Sequence, residues 1–290
     1  MNAGRTTSRM MMTARPDTAR GTAVMLALLV PLLAFAPGAP PANAGDPGTP
    51  PIDIRTMPAA DADMTGRQWI LSLGGKLYDN HWAVLGIDPP KGRNPVYPAG
   101  AAVPAPDTWR CVACHGWDYR GREGHLKKLA NSPRFVSLRH LRGKPAGEIT
   151  AAILGKPHGR VARVLPPPML NALALFISRG QHDVARMIDA RGRARGNSRR
   201  GKDIYEGTCI SCHQADGKAW IQGEEGDRPA LGWVARHRPE QALHKIRNGV
   251  PGADMLSLRF LPLSDIAAVL AYLQTLDPKV TPPEERVYRP

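Results

Sequence analysis

A chain of 290 residues has the length of about two ordinary domains, each large enough to bury its own core. With 29 Gly, 29 Pro and only 6% aromatic residues, it reads as small, loop-rich domains and not as one large sheet protein. The formal net charge of +14 points to acidic proteins, an anionic membrane face or anionic small molecules as partners, and the sequence holds no nucleic-acid recognition module.

At the N-terminus, Arg5, Arg9, Arg15 and Arg20 precede the apolar run Thr22 to Ala36 and the small-residue stretch Pro41-Ala42-Asn43-Ala44. Basic, apolar and A-x-A segments in that order read as a secretory signal peptide over residues 1–44, cleaved after Ala44. The apolar run is short of the ~20 residues that span a bilayer, and Pro31 interrupts it, so no transmembrane segment is expected after cleavage. The arginines are not paired, which gives a twin-arginine signal little support. Cleavage removes four Arg and one Asp and leaves a net charge of +11. The expected location is the periplasm, with residues 45–64 as a flexible N-terminal segment.

A first domain is expected over residues 65–186. Gly74 and Tyr78 sit before a Pro-rich segment, Asp79 to Arg110, that is expected to be a long ordered loop. Then comes Cys111-Val-Ala-Cys114-His115, with Trp117 and Tyr119 close behind; packing against a cofactor is the reading for these two aromatics. A closing helix is expected over Met169 to Ser178, with Leu170, Leu173, Ala174 and Ile177 on one face and Gly180 as the stop. Residues 187–200 read as a basic, solvated linker.

The second domain, residues 201–282, repeats the plan and is followed by a tail, 283–290. Gly201 and Tyr205 reproduce the Gly-x-x-x-Tyr of Gly74 and Tyr78, but Cys209 follows Tyr205 by four residues where Cys111 follows Tyr78 by 33. Cys209-Ile-Ser-Cys212-His213 repeats the cysteine motif, and the two copies use all four cysteines of the chain. Ser264 is expected to cap the last helix, whose Ile266, Val269, Leu270 and Leu273 recur at helical spacing.

Three chemistries compete for a C-x-x-C-H motif. A tetrahedral zinc needs four ligands, and a Cys2His set from each of two sites 98 residues apart would oversupply one metal. A redox dithiol needs a βαβ context that neither motif has. Covalent haem attachment uses both sulfurs as thioethers and the following His as an iron ligand. Two copies in an exported chain with no spare thiol favour haem, hence two covalently bound haem c groups held by Cys111, Cys114, Cys209 and Cys212, with His115 and His213 on iron.

The segments "GGKLYDNHW", "CHGWDYRGREG" and "LALFISRGQHDVARMID" make residues from about Thr65 to Pro282 resemble exported tandem di-haem proteins built from class I c-type cytochromes. That resemblance implies a mainly α fold of two tandem cytochrome c-like helical domains, each around one haem, with electron transfer as the activity. A closed electron carrier needs a sixth iron ligand. Met255, 42 residues after His213 in the Gly/Pro-rich "IRNGVPGADMLSL", resembles the methionine loop of that family. The first half has no Met at the matching place; His158, 43 residues after His115, is expected instead, giving bis-His ligation. Met169 is read as core because it maps onto Ile266, Met187 as part of the connection, and His125 and His140 remain alternatives.

The expected function is a periplasmic electron carrier, or the electron-transfer subunit of a dehydrogenase. It would pass electrons from bis-His haem 1 to His/Met haem 2. The expected donor is a dehydrogenase or membrane complex and the acceptor a small cytochrome or an oxidase, with acidic docking surfaces. The opposing reading is an oxidoreductase with catalysis at an open or labile first haem, peroxidase-like or acting on sulfur compounds, with His81 and Tyr97 of the inserted loop as the residues to test. A haem-based sensor would need an output domain for which the chain has no room.

Overall fold

Paired helices recur at both ends of the chain, and in each pair a glycine lets the two backbones touch. The computed structural model describes residues 59–99, 103–128, 135–219 and 230–278. The expected signal peptide, residues 45–58 and the tail lie outside the described residues. Helix α1 (Ala59–Leu85) is followed by α2 (Cys111–His115), α3 (Ala146–Leu154), α4 (Gly159–Ala162) and α5 (Pro167–Leu175), which runs on into a π-type turn, Phe176–Gly180. After α6 (Val184–Met187) come α7 (Ser198–Thr208), α8 (Ile210–His213), α9 (Leu231–His237), α10 (Pro239–Asn248) and α11 (Leu263–Leu273). The described residues contain no strand, consistent with a cytochrome c fold, and no helix among them is long and apolar enough to cross a membrane.

In the first half α1 crosses α5, and in the second α7 crosses α11. Gly74 lies on the Ala172 carbonyl and Gly201 on the Ala268 carbonyl, so any Cβ there would run into backbone. Four residues on, Tyr78 donates to Gly116 O at 2.6 Å and Tyr205 to Gln214 O at 2.5 Å. The accepting residue is in both cases the one after the motif histidine. A buried phenol thereby ties the crossing helix to the end of the cysteine motif, and the same tie occurs twice.

The closing helices correct two expectations. Both start from a proline: Pro166 O accepts from the N–H of Met169 and Leu170, and Pro262 O from those of Asp265 and Ile266. The cap of α11 is Pro262, and Ser264 lies inside its first turn. Pro166 matching Pro262 puts Leu170, 7% exposed, opposite Ile266, and shifts Met169 one place along to a partly buried position beside the first core. Apolar periodicity tolerates a one-residue slip that backbone contacts do not.

The inserted segment also departs from expectation at its start. Helix continues past Asp79 to Leu85, broken only at Asn80 (φ −155°, ψ 95°), whose Oδ1 accepts from the Ala83 N–H at 3.1 Å and restarts the helix as a cap. Residues 59–64, expected as flexible, belong to α1. Beyond Gly86 the loop is fastened by Trp109 Nε1 donating to Gly92 O at 2.9 Å and by the Asn94 N–H donating to Thr108 Oγ1 at 2.8 Å. Tyr97 and Val103 pack with Ala113, Leu126 and Phe135 against the back of the first cysteine motif, next to Cys114.

The basic segment after α6 is not a free linker. Met187 and Ile188 are buried in the second core, and Ile188 bridges Ala194. Asp189 Oδ1 accepts from the N–H of Arg191 and Arg193, and Gln274 clips Gly192 and Ala194. Asn197 then caps α7 through the Arg199 and Arg200 N–H groups.

The two cores meet where α1 packs against α10. Ser72 donates to Asn248 O at 2.8 Å, and Asp79, 1% exposed, pairs with Arg110 and, at 2.8 Å, with Lys245 of α10. Burial alone would raise the Asp79 carboxyl; Lys245 and Arg110 outweigh it and hold it at about 2.

Candidate functional site

The first cysteine motif is one turn of helix, entered from extended Arg110 and ended by Gly116 at φ 77°, ψ 163°. A side chain is disfavoured at that φ, and the turn aims the Gly116 carbonyl at Tyr78. Cys111, Cys114 and His115 open on a cavity of about 930 Å³, counting its solvent-open mouth. Its wall is mostly apolar, with Leu138, Ile149, Ile153, Leu173 and Ile177 on the helix side and Val96 and Trp109 from the inserted loop.

His115 is 7% exposed and its Nδ1 lies 2.8 Å from Val136 O. A carbonyl only accepts, so Nδ1 carries the proton and Nε2 the lone pair; burial lowers this imidazole to about 4, which keeps it neutral. His158 lines the same cavity, with its ring centre 6.0 Å from that of His115 and the planes 38° apart. Its Nδ1 points to Ala152 O at 3.4 Å, which leaves its Nε2 bare as well. Metal–imidazole bonds are about 2 Å and each ring centre lies about 1 Å behind its nitrogen, so two imidazoles facing one metal stand about 6 Å apart. Two thiols, two imidazoles and a large apolar cavity would suit a covalently held haem, for which Cys111 and Cys114 would be the attachment points and His115 and His158 the iron ligands.

Burial pushes the Cys111 and Cys114 thiols up to about 12, the opposite of a reactive dithiol, whose thiolate is stabilised. Among the described residues no three His, Cys, Asp or Glu side chains are grouped to hold a metal ion, and a zinc corner would need four ligands together.

At the second motif, Cys209 is partly buried and Cys212 exposed. His213 is half-buried and lowered by that burial, with Nδ1 enclosed and without a partner among the described residues. Gln214 follows at φ 60°, ψ 171°, a conformation that Gly116 adopts without a Cβ. Met255 is partly buried in the segment between α10 and α11, which is pinned by Ser257 Oγ to Arg247 O at 2.7 Å and by the Leu258 N–H to Ile246 O at 3.1 Å. Residues 220–229, which follow the motif, lie outside the described residues.

Other candidates fall elsewhere. His140 is exposed and Met187 is 2% exposed in the second core, and neither lines the cavity; His125 lies in a short turn, His125–Lys128. His81 is buried edge-on to Trp82 and Tyr97 packs on Phe135, both outside the cavity lining. The loop therefore covers the site with Asn94, Val96, Thr108 and Trp109, and not with the two residues named for testing under the catalytic reading. Trp117 and Tyr119 are also outside the lining: Trp117 packs on His244 of α10 at 5.0 Å, and the Tyr119 hydroxyl lies between His182 and His244. Sequence reasoning passed over His244, a lone histidine on a helix with no motif around it.

Residues 196–273 match the family model described as Cytochrome C oxidase, cbb3-type, subunit III. No curated protein and no solved structure matches the chain. The matched segment contains Cys209, Cys212 and His213, and a cytochrome c domain implies covalently bound haem c and electron transport.

Proposed function

We propose that this c-type cytochrome carries two haems and works in the periplasm as a two-step electron wire, from bis-His haem 1 (His115, His158) to His/Met haem 2 (His213, Met255). The observation that carries the reading is the His115–His158 pair, 6.0 Å between ring centres, inside the cavity that also holds Cys111 and Cys114. Haem iron supplies a one-electron carrier, and its potential rises when Met replaces His as axial ligand. The chain's residues do the rest at the first site. Val136 O holds the His115 proton on Nδ1, Tyr78 fixes the end of the motif, and Ile149, Ile153 and Leu173 exclude water. The family matched by residues 196–273 is named for an oxidase subunit, which favours a respiratory donor and acceptor.

An optical redox titration of the holoprotein tests this. Two one-electron waves are expected, with His158→Ala moving the lower and Met255→Ala the upper. A single wave untouched by His158→Ala, or high-spin ferric haem that binds added ligands, sinks the assignment and favours catalysis at an open first haem.

A further inference from the structure

The basic loop after α6 carries a row of arginines that the electron-transfer reading does not use. Ile188 and Ala194 bridge across the loop and pack on the second core, so Arg193 and Arg195, the neighbours of Ala194, turn outward and are exposed. Arg191 at the tip of the loop and Arg199 in the first turn of α7 are exposed as well. Gln274 brings α9 to the same place. Its Nε2 donates to Gly192 O and to Ala235 O, its Oε1 accepts from the Ala194 N–H at 2.9 Å, and its own carbonyl accepts from Nε of the exposed Arg236 at 2.8 Å.

The row lacks counter-charges. Among the described residues the guanidiniums of Arg191, Arg193, Arg195 and Arg199 make no hydrogen bond or ion pair, and Arg236 gives its own to two neutral carbonyls, those of Gln274 and Leu276. Asp189 spends its Oδ1 on the Arg191 and Arg193 N–H groups, the sequence has no further acid before Asp203, and Arg200 is set apart by its pairing with Asp265 at 3.0 Å. The backbone beneath is fixed: the Arg195 N–H donates to Met187 O at 2.7 Å, and Gly196 lies against the Ala267 backbone of α11 with no room for a Cβ.

Guanidinium forks match phosphate oxygens two at a time, and a backbone already held in place loses little freedom on binding. An acidic protein would need apolar anchors at the centre of its contact. Between these arginines stand only Ala190, Gly192, Ala194, Gly196 and other small or polar residues, and none of the exposed large apolar side chains belongs to the loop, to α7 or to α9. We propose that Arg191, Arg193, Arg195, Arg199 and Arg236 form a docking face for an anionic phospholipid surface, with the guanidiniums on headgroup phosphates. The contact is peripheral, charge against headgroup, with no apolar side chain entering the bilayer.

The test sediments the holoprotein with vesicles of phosphatidylcholine alone and of phosphatidylcholine mixed equally with phosphatidylglycerol. Binding is expected to the mixed vesicles only, and to fall as salt rises. Each of Arg191→Gln, Arg193→Gln and Arg195→Gln should weaken it about fivefold, and the triple variant should abolish it. The charge-matched triple Lys156→Gln, Arg160→Gln, Arg163→Gln, from the first half of the chain, should bind as wild type does. Equal losses in the two triples would mean that net charge alone binds, and would overturn the face, as would wild type that ignores the mixed vesicles. Variants that keep vesicle binding but slow electron exchange with an acidic redox protein would turn the row into a protein-docking site and overturn the lipid assignment. The Tm of each arginine variant should stay at the wild-type value, because these side chains hold nothing in the fold; a lowered Tm would make them structural and sink the proposal.

Discussion

Asp79 has almost no contact with water, yet it stays ionised because Lys245 and Arg110 flank it. Its carboxyl is held at about 2 when folded against 3.8 in the unfolded chain, so it stabilises the fold fully above pH 3.8. As pH falls through 2 that contribution, about 2 kcal/mol, is lost. Asp79→Asn is therefore expected to lower stability at neutral pH by at least that amount, since it leaves two cations facing each other, and the gap to wild type should close toward pH 2 in acid-unfolding curves. A gap that does not change with pH would mean that the pair carries no net charge effect. At this scale the sequence was legible where a short motif fixes the spacing, as in Cys111, Cys114 and His115, which open on one cavity. The spacing of His158 also placed it at the first cavity, whereas Asp79, Tyr119 and His244 were illegible because their partners lie up to 169 residues away.

The crossings of α1 with α5 and of α7 with α11 depend on glycine. Gly201→Ala would push a methyl into the Ala268 carbonyl, and overpacking of this kind costs about 1–3 kcal/mol. A lowered Tm is expected for Gly201→Ala and for Gly74→Ala, while Gly207→Ala, where a Cβ meets nothing within 4 Å, gains about 1 kcal/mol from helix propensity. The end of the second motif offers the reverse case. Gln214 sits at φ 60°, ψ 171°, where a non-glycine residue costs about 1–3 kcal/mol, so Gln214→Gly should raise Tm; a fall would show that its side chain is needed. The repeat was readable from Gly-x-x-x-Tyr because both residues make the same contact twice. The starts of the two closing helices were not, because a proline carbonyl does the capping there and side-chain rules look for Ser, Thr, Asp or Asn.

Over the whole molecule, part of the net charge of +14 is carried by the segment whose Pro157, His158 and Val161 line the first cavity. Within six residues of His158 in sequence, Leu154 and Val164 are 55% and 45% exposed and Lys156, Arg160 and Arg163 are also exposed; the sequence has no acid between Glu148 and Asp183. We expect charge reversal of these three cations to slow electron exchange with an acidic redox protein several-fold at low ionic strength, with the difference fading as salt shortens the Debye length to about 8 Å at 0.15 M. Stopped-flow rates indifferent to the reversal would move docking to another face. The helical class came from the resemblance to c-type cytochromes, and apolar periodicity supported only the two closing helices. The way the cores share a polar seam was not legible, because apolar periods describe each helix alone.

That seam also sets an order in time. Ser72 is joined to Asn248, 176 residues further on, and Asp79 to Lys245, 166 further on. While the chain is being made, α1 can meet α5 but not α10, and Asp79 has Arg110 without Lys245. The bonds that join the halves therefore cannot form until both cysteine motifs have been synthesised.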